Sequence, residues 1–474
     1  MSRPTLLHSA RRIAPLAWPV FIGQVAVLAF STVDTIMVAR YAALDLAALA
    51  IGGATYITVF VGLMGMVLAV GPIAGQLFGA GKLRECGLQL HQAMWLALAL
   101  SAVGCTVLLF PQPFLSLAHA PPEVAAKVRG YLTALAFALP PALLFTAFRG
   151  FNTAVSRPKI VMALQLGALA LKVPLTALLV FGWSLPTPLG ELILPGLGAP
   201  GCGVATAIVM VGQALAAWWV LRRSPFYQRF GLQTGFSAPH RASIQGLLHL
   251  GVPMGAGILV EVTGFTFMAF FISRIGTTAV AGHQIAVNLV AMMFMMPLAI
   301  ANASSTLVAQ RIGAGDARDA RQLGWHGLVV GTLIAALMGV AVYLLREGIL
   351  RIYTHDAVVI AAALPLLAWV AVFHIADAAQ TVAAFVLRAY RIATVPLLIY
   401  VAALWGVGLG GGYVLAFNIG GWVPPSLQGA PGYWSAATTG LVLAGAGLCA
   451  FLPWVLRQPR HAGTMAPLVA TPPV

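Results

Sequence analysis

Long runs of apolar residues, separated by short polar connections, dominate the chain. A helix needs roughly 20 mostly apolar residues to cross about 30 Å of hydrocarbon, and twelve stretches meet this requirement. They lie near residues 14–39, 46–72, 88–110, 130–149, 160–182, 202–221, 248–273, 280–306, 323–345, 358–386, 396–417 and 434–456. The pattern therefore predicts an all-α polytopic membrane protein with twelve transmembrane helices.

Composition agrees with this pattern and excludes several other classes. Hydrophobic residues make up 60% of the chain, charged residues only 8%, and the mean hydropathy is +0.94, well beyond an ordinary soluble domain. The first apolar run is too long for a signal-peptide core of about 7 to 15 residues, so we expect a retained helix. The four cysteines are scattered without paired spacing, which argues against disulfides and a thiolate metal site; they are Cys86, Cys105, Cys202 and Cys449.

The net charge of +15 is distributed asymmetrically between the predicted connections. Nineteen of the 26 Lys and Arg residues fall on the side that holds both termini, six on the opposite side, and Lys172 lies inside a predicted helix. By the positive-inside rule both termini are cytoplasmic. The basicity is thus a topology signal, and nucleic-acid binding is not expected.

An internal repeat organises the chain. A shift of 234 residues aligns the segment from Pro19 to Glu85 without a gap with the segment from Pro253 to Asp319. Six predicted helices therefore occur twice, and two lobes related by a pseudo-twofold axis along the membrane normal are expected. The predicted boundaries are an N-lobe at 1–221, a cytoplasmic linker at 222–247, a C-lobe at 248–456 and a cytoplasmic tail at 457–474.

Acidic residues are rare at membrane depth. Eight of the eleven fall in predicted connections, which leaves Asp34, Glu261 and Asp377 inside helices. An ionised side chain at that depth costs at least ~2.5 to 3.5 kcal/mol and is seldom kept without a partner, a cation or a water-filled path. Helix-to-helix hydrogen bonding by a protonated carboxyl is the structural alternative. These three carboxylates are the first candidates for a site.

Motifs in four places make the chain similar to the multidrug and toxic compound extrusion (MATE) family, in its bacterial NorM-like branch. The similarity extends from the first to the last predicted helix. It rests on Pro19, Asp34-Thr35-Ile36-Met37-Val38, Gln76, Gly79-Ala80-Gly81-Lys82, Gly251-Val252-Pro253, Glu261, Asp377 and Leu387-Arg388-Ala389-Tyr390. The resemblance implies a secondary active efflux transporter that exchanges cationic or amphipathic drugs for Na⁺ or H⁺ by alternating access.

By the same resemblance, Asp34, Glu261 and Asp377 are expected to couple transport to the cation. Glu261 and Asp377 are the tentative Na⁺ ligands. Na⁺ requires hard oxygen donors, so Thr263 and Thr381 are candidate helpers. No resident cofactor is expected beyond the coupling ion, and the protein is expected to work as a monomer in the bacterial inner membrane.

Lys172 departs from the family pattern. It begins the segment Lys172-Val173-Pro174-Leu175-Thr176, where the family usually carries asparagine at the first and last positions. A lysine this deep must be neutral, exposed to water or paired. Asp34 is its natural partner, and we predict an amine-to-carboxylate distance within about 4 Å. Such a pair would make Asp34 a poorer Na⁺ ligand, so that Glu261 and Asp377 carry the coupling.

Weaker candidates come from aromatic and sulfur side chains. Phe373, one turn before Asp377, offers a ring face to a cation, although plain packing is the more common role. Met292 and Met296 are candidates for an adaptable substrate-lining wall, against the commoner roles of lipid contact and core packing.

Three other functions remain as alternatives. A lipid-linked oligosaccharide flippase of related fold would need several Lys or Arg in its cavity to hold a diphosphate, and only Lys172 qualifies. A passive channel would not move a drug against its gradient. An enzyme is not indicated, because the sequence holds no His-Glu-x-x-His motif or other recognisable catalytic cluster.

Overall fold

Twelve helices or helix pairs long and apolar enough to cross a membrane account for nearly all of the structure. The computed structural model describes residues 5–117, 121–187, 190–233 and 235–457. The helices are α1 Leu6–Tyr41, α2 Ala43–Val67, α3 Val70–Gly79, α4 Leu83–Leu109, α5 Gln112–Leu117, α6 Pro122–Ala154, α7 Pro158–Phe181, α8 Ala199–Arg223, α9 Arg241–Ser273, α10 Thr277–Gly313, α11 Ala317–Tyr353, α12 Ala357–Ala389, α13 Thr394–Tyr400, α14 Gly412–Ala416 and α15 Ala430–Arg457. All twelve predicted spans are confirmed, and of these α-helices only the short α5 lies outside them.

Two spans depart from a regular α-helix. The second span is interrupted at Leu68–Ala69 and so consists of α2 and α3. In the eleventh, α13 and α14 are joined by a π-helical segment, Val401–Gly411, whose sequence is rich in glycine. π-Helical turns are rare and often accompany functional sites. The apolar pattern predicts neither feature, because an interrupted helix and a π-helical segment can be as apolar as a regular α-helix.

Between α7 and α8 the chain forms a β-hairpin that the apolar pattern did not predict. Strand β1, Gly182–Thr187, pairs antiparallel with β2, Gly190–Pro195. In the sequence this segment is a polar connection between two apolar runs, for which the apolar pattern predicts no secondary structure. Two six-residue strands outside the apolar runs are too short for the apolar pattern to predict them.

The described chain divides into two compact units. Unit N comprises residues 22–74 and 82–251, and unit C comprises the described residues up to 21, residues 75–81 and those from 252 onward. The first part of α1 belongs to unit C because Ile13 and Ala17 pack with Ala299, Ile300 and Ala303 of α10. The predicted lobe boundaries and these units therefore differ at α1, at the end of α3 and at the described residues of 222–251, which belong to unit N.

Within unit C, the repeated turns after α3 and α10 contact each other reciprocally. A Cβ on Gly79 would overlap the backbone of Gln310, and a Cβ on Gly313 would overlap the backbone of Gln76. The 234-residue shift pairs Gln76 with Gln310 and Gly79 with Gly313. A contact in which each partner touches the equivalent of the other is the mark of local two-fold symmetry. Glycine is required at both positions because the two backbones touch.

Candidate functional site

Unit C contains a small cavity lined by both of its membrane-depth carboxylates. The cavity has a volume of about 40 Å³ and lies among α9, α12, α15 and the π-helical segment; it is lined by Glu261, Gly264, Phe265, Met268, Phe373, Asp377, Leu404, Gly408, Leu409, Tyr433, Ala437 and Leu441. A water needs roughly 10 to 15 Å³ of such space. The cavity is therefore large enough for an ion with one or two waters.

Helical spacing explains why these side chains meet. On α9, Glu261 is followed at three, four and seven residues by Gly264, Phe265 and Met268, all of which line the cavity. On α12, Phe373 and Asp377 are four residues apart and line it too. Residues at these intervals share one face of a helix. The cavity thus brings together Glu261, Asp377 and Phe373, three of the residues selected from the sequence.

Asp377 has polar neighbours on its own helix. The Gln380 side-chain amide donates to Asp377 Oδ1 at 3.0 Å and to Thr381 Oγ1 at 3.1 Å. All three side chains are buried. Gln380 Oε1 is also buried and has no hydrogen-bond partner among the described residues. A buried carbonyl oxygen without a donor costs free energy, and a cation bound there would provide the missing positive partner. The sequence indicates Thr381 as a candidate oxygen donor, whereas Gln380 is found only from the structure.

Arg388 is a buried cation that interacts with Glu261, although the sequence places it just beyond the predicted span 358–386. In the structure it lies in the last turn of α12 and is only 7% exposed. Its guanidinium lies over the Phe385 ring, 4.3 Å from the ring centroid. Arg388 interacts electrostatically with Glu261, and Glu261 in turn with Asp377. The carboxylates are therefore balanced in part by a buried cation.

The backbone of α9 is fixed just before Glu261. Trp405, in the π-helical segment, donates its indole N–H to Val260 O at 3.0 Å. Thr263 donates to Leu259 O, one turn earlier on its own helix, and approaches Val260 O at 3.3 Å. The hydroxyl hydrogen of Thr263 is thus used within α9. These contacts hold the turn that carries Glu261 in place.

Unit N buries its membrane-depth carboxylate as an ion pair. Lys172 Nζ of α7 lies 2.9 Å from Asp34 Oδ1 of α1, and the lysine side chain is completely buried. The amine also donates to Thr206 of α8, whose hydroxyl donates in turn to Cys202 O at 3.0 Å. The predicted pair of Lys172 with Asp34 is confirmed. Thr176, one turn after Lys172, is fully buried and its hydroxyl has no hydrogen-bond partner among the described residues.

The two methionines selected from the sequence lie away from the unit C cavity. Met292 is 55% exposed, as expected for a side chain that faces lipid. Met296 packs against the cluster that includes Ile13, Ala17 and Ile300. Neither lines the cavity of Glu261 and Asp377. Their role as substrate-lining residues stays a prediction.

Unit N contains a second ion pair, formed by a buried aspartate, that the sequence did not predict. Asp45, assigned to a connection, lies in the first turn of α2 and is 1% exposed. Both of its carboxylate oxygens accept from Lys127 Nζ, at 2.9 and 2.8 Å, and Oδ1 also accepts from Ala199 N at 2.8 Å. The aspartate therefore joins α2, α6 and the start of α8. Since its charge is fully paired, it is better understood as a structural link than as an ion site.

Comparisons with known proteins agree with these features. The model of the MatE family matches residues 19–178 and 253–414, one match in each half of the repeat. The chain belongs to the MatE family. It is 38% identical to the probable multidrug resistance protein NorM of Aromatoleum aromaticum over 96% of either chain, and 36% identical to that of Chromobacterium violaceum over 97% of either chain.

A solved structure shows the same fold. The eukaryotic MATE transporter AtDTX14 superposes with a TM-score of 0.84 and covers 94% of this chain and 96% of its own, at 17% sequence identity. This MatE chain is therefore a multi-pass membrane protein with the fold of that transporter.

Proposed function

We propose that this MatE protein is a secondary active multidrug efflux transporter that exchanges cationic or amphipathic drugs for Na⁺ or H⁺ by alternating access. The observation that carries the proposal is the unit C cavity, where Glu261 and Asp377 line one apolar and aromatic space. The relatives named multidrug resistance protein NorM support the substrate class.

The coupling step follows from like charge in a low-dielectric setting. Two bare carboxylates in one cavity repel each other, so a proton or a metal cation stabilises them. Within the described chain no three His, Cys, Asp or Glu side chains cluster as a metal site. A bound Na⁺ would therefore combine the two carboxylates with neutral oxygens, and Gln380 Oε1 and Thr381 Oγ1, on the same helix as Asp377, are hard donors of this kind.

Drug recognition uses the same charge. A cationic drug that reaches Glu261 and Asp377, in a conformation in which this cavity is wider, is attracted by the carboxylates that hold the coupling cation, and Phe265, Phe373 and Tyr433 offer ring faces. Ion and drug then compete for one negative centre. Competition of this kind couples inward ion movement to outward drug movement, provided that each is bound in a different conformation.

Asp34 has a different part in this proposal. Its carboxylate is already neutralised by Lys172, so a second cation gains little by binding there. We assign ion coupling to Glu261 and Asp377, and to Asp34 a conformational role through its pair with Lys172. Protonation of Asp34 or the arrival of substrate would break the pair.

The proposed location is the bacterial inner membrane, with both termini in the cytoplasm. The asymmetric distribution of Lys and Arg supports this orientation. Cysteines introduced beside Arg222 and beside Arg274 should react from opposite sides with an impermeant thiol reagent. Labelling of the Arg222 position from outside intact cells would contradict the topology.

The decisive experiment is dye transport in proteoliposomes. Vesicles that contain the purified chain are loaded with a cationic dye, and a Na⁺ or an H⁺ gradient is imposed separately. We expect dye to move against its own gradient with one of the two ions. Movement that only follows the dye gradient would indicate a passive pore, and no movement with either ion would contradict antiport.

A further inference from the structure

Unit N holds a second and much larger cavity, separate from its buried ion pairs. The cleft has a volume of about 440 Å³ and runs between α4, α6 and α8, with Leu232 and Phe236 of the following segment at one end. This volume lies in the range of small-molecule sites, about 300 to 1,000 Å³. All but two of its seventeen lining residues are apolar, and none is acidic.

The length of the cleft matches half of a bilayer. Its wall on α8 runs from Val211 to Arg222, a rise of about 16 Å at 1.5 Å per residue. Half of a hydrocarbon core of about 30 Å is roughly 15 Å. The cleft therefore spans about one leaflet, with its apolar part deep and Arg222 at the level of the head groups.

One side of the cleft is open. Leu98, Leu215 and Trp218, which line it, are 39%, 61% and 54% exposed. Pro140 and Pro141 of α6 line it as well; a proline inside a helix removes a backbone hydrogen bond and bends the helix. In a membrane, the exposed apolar walls face lipid, so an acyl chain has direct access.

The polar end is built by side chains held in place. His91 Nδ1 accepts from Ser237 N at 3.3 Å and lies 3.0 Å from Ser237 Oγ, and Trp95 donates to Ser237 O at 2.9 Å. Arg222 donates through Nη1 to Gln233 O at 3.0 Å, and its guanidinium lies 5.5 Å from the Trp218 ring centroid. These contacts fix the cation at the mouth of an apolar cleft and leave its other N–H groups to a ligand.

We propose that this cleft binds a phospholipid with an anionic head group. One acyl chain would fill the space between α4, α6 and α8, and the phosphate would lie against Arg222. Charge selects this occupant, because residues 222–247 contain four Arg and no Asp or Glu, and basic pockets between helices bind acidic head groups. A cationic drug would meet Arg222 without a carboxylate to balance it. The leaflet, but not the binding itself, depends on the topology proposed above.

The proposal is tested by native mass spectrometry of the full-length protein in detergent. The probes are phosphatidylglycerol and phosphatidylcholine with identical acyl chains. We expect at least one phosphatidylglycerol to bind about tenfold more tightly than phosphatidylcholine, as for the loss of one charged hydrogen bond. Arg222→Gln should remove this preference, whereas Arg222→Lys should keep most of it.

Two further variants distinguish binding in the cleft from a general effect of charge and from an effect of the Arg222 substitution on folding. Arg223→Gln, an exposed neighbour outside the cleft, removes the same charge and should leave the preference unchanged. Ala214→Phe fills the cleft without touching any charge and should weaken binding of both lipids about tenfold. Equal affinity for both lipids in the wild type, or an equal loss in Arg223→Gln and Arg222→Gln, would overturn the proposal. These readouts do not involve transport, so they stand apart from the outcome of the dye assay.

Discussion

Asp34 in unit N and Asp377 in unit C are both buried aspartates of transmembrane helices, yet their surroundings differ in charge. Asp34 lies 2.9 Å from Lys172, whereas Asp377 shares a cavity with a second carboxylate, Glu261, and accepts a hydrogen bond from the neutral Gln380 amide. The first arrangement is electrically complete. The second has a surplus of negative charge that an external cation can occupy.

The internal repeat does not place acidic residues at equivalent positions of the two units. The 234-residue shift pairs Asp34 with Met268, an apolar residue that lines the unit C cavity. Two copies of one fold therefore hold their acidic groups at different positions. A shared fold does not fix a shared function, because function depends on the particular side chains of the site. We expect the two units to respond differently to the changes below.

The largest difference should come from neutralising the unit C carboxylates. Glu261→Gln and Asp377→Asn each remove one negative charge from the cavity and should abolish gradient-driven dye efflux, a loss of at least about tenfold, as expected when about 1.4 kcal/mol or more of cation binding is lost. Dye efflux in proteoliposomes measures the effect.

Glu347→Gln is the matched control for this prediction. Glu347 lies on α11 with a side chain 65% exposed, and its loss should leave efflux unchanged. Full gradient-driven efflux in both Glu261→Gln and Asp377→Asn would show that unit C does not carry the coupling.

Removing the lysine of unit N should affect stability first. Lys172→Met leaves Asp34 buried without its partner, and breaking a buried pair on one side costs about 3 to 5 kcal/mol. The apparent melting temperature in detergent should fall by several degrees. The double variant Asp34→Asn with Lys172→Met should recover most of the loss, because neither charge then remains. A Lys172→Met protein as stable as the wild type would mean that the pair contributes little.

Gln380 provides a smaller and more specific test of unit C. Gln380→Leu removes the amide beside Asp377 together with its unpartnered oxygen, and Na⁺ binding should weaken about tenfold if that oxygen is a ligand. Isothermal calorimetry with Na⁺ measures the change. The matched variant Gln213→Leu, at a buried position of α8 in unit N, should leave Na⁺ affinity unaltered. Unchanged affinity in Gln380→Leu would exclude Gln380 as a ligand.

The smallest effect concerns the segment that follows α8 in unit N. Tyr227, in the short 3₁₀ helix Pro225–Phe230, is fully buried and its hydroxyl contacts Asn152 Oδ1 at 2.5 Å. Tyr227→Phe should lower the free energy of unfolding by about 1 to 2 kcal/mol, because the buried Asn152 oxygen loses its donor. Thermal unfolding at neutral pH measures the difference.

The same tyrosine predicts a dependence on alkaline pH. Burial raises the pKa of Tyr227 to about 12, above the usual value of about 10. A raised folded-state pKa stabilises the protein fully below pH 10, and this contribution is lost as the pH rises towards 12. The decline in stability between pH 10 and 12 should therefore be smaller in Tyr227→Phe. An identical decline in both proteins would assign it to other groups.

The sequence predicted the twelve spans and two of the central features of the site. Apolar length located every transmembrane helix, because the bilayer imposes a minimum length on each. The cost of a charge at membrane depth selected Asp34, Glu261, Asp377 and Lys172, and the structure joins Lys172 to Asp34 and brings Glu261 and Asp377 to one cavity. Strong, local costs of this kind are visible in a single sequence.

Other parts of the site depended on tertiary contacts. Asp45 and Arg388 lie outside the apolar runs of the sequence, yet both are buried in the structure. Asp45 is paired with Lys127, and Arg388 interacts electrostatically with Glu261. Gln380 carried no signal because a neutral amide costs little at membrane depth compared with a charge. Its importance comes only from its distance to Asp377.

By itself, the sequence determined that this chain crosses the membrane twelve times, repeats a six-helix pattern and keeps one lysine and three acidic residues inside its predicted helices, because length, periodicity and the cost of buried charge are properties of the chain alone. Only the tertiary structure decided how those charges are combined. Lys172 approaches Asp34 across α7 and α1, while Glu261 and Asp377 share a cavity between α9 and α12. Which charges pair depends on which helices pack together. The order of residues along the chain does not reveal that packing when the partners are more than a hundred positions apart.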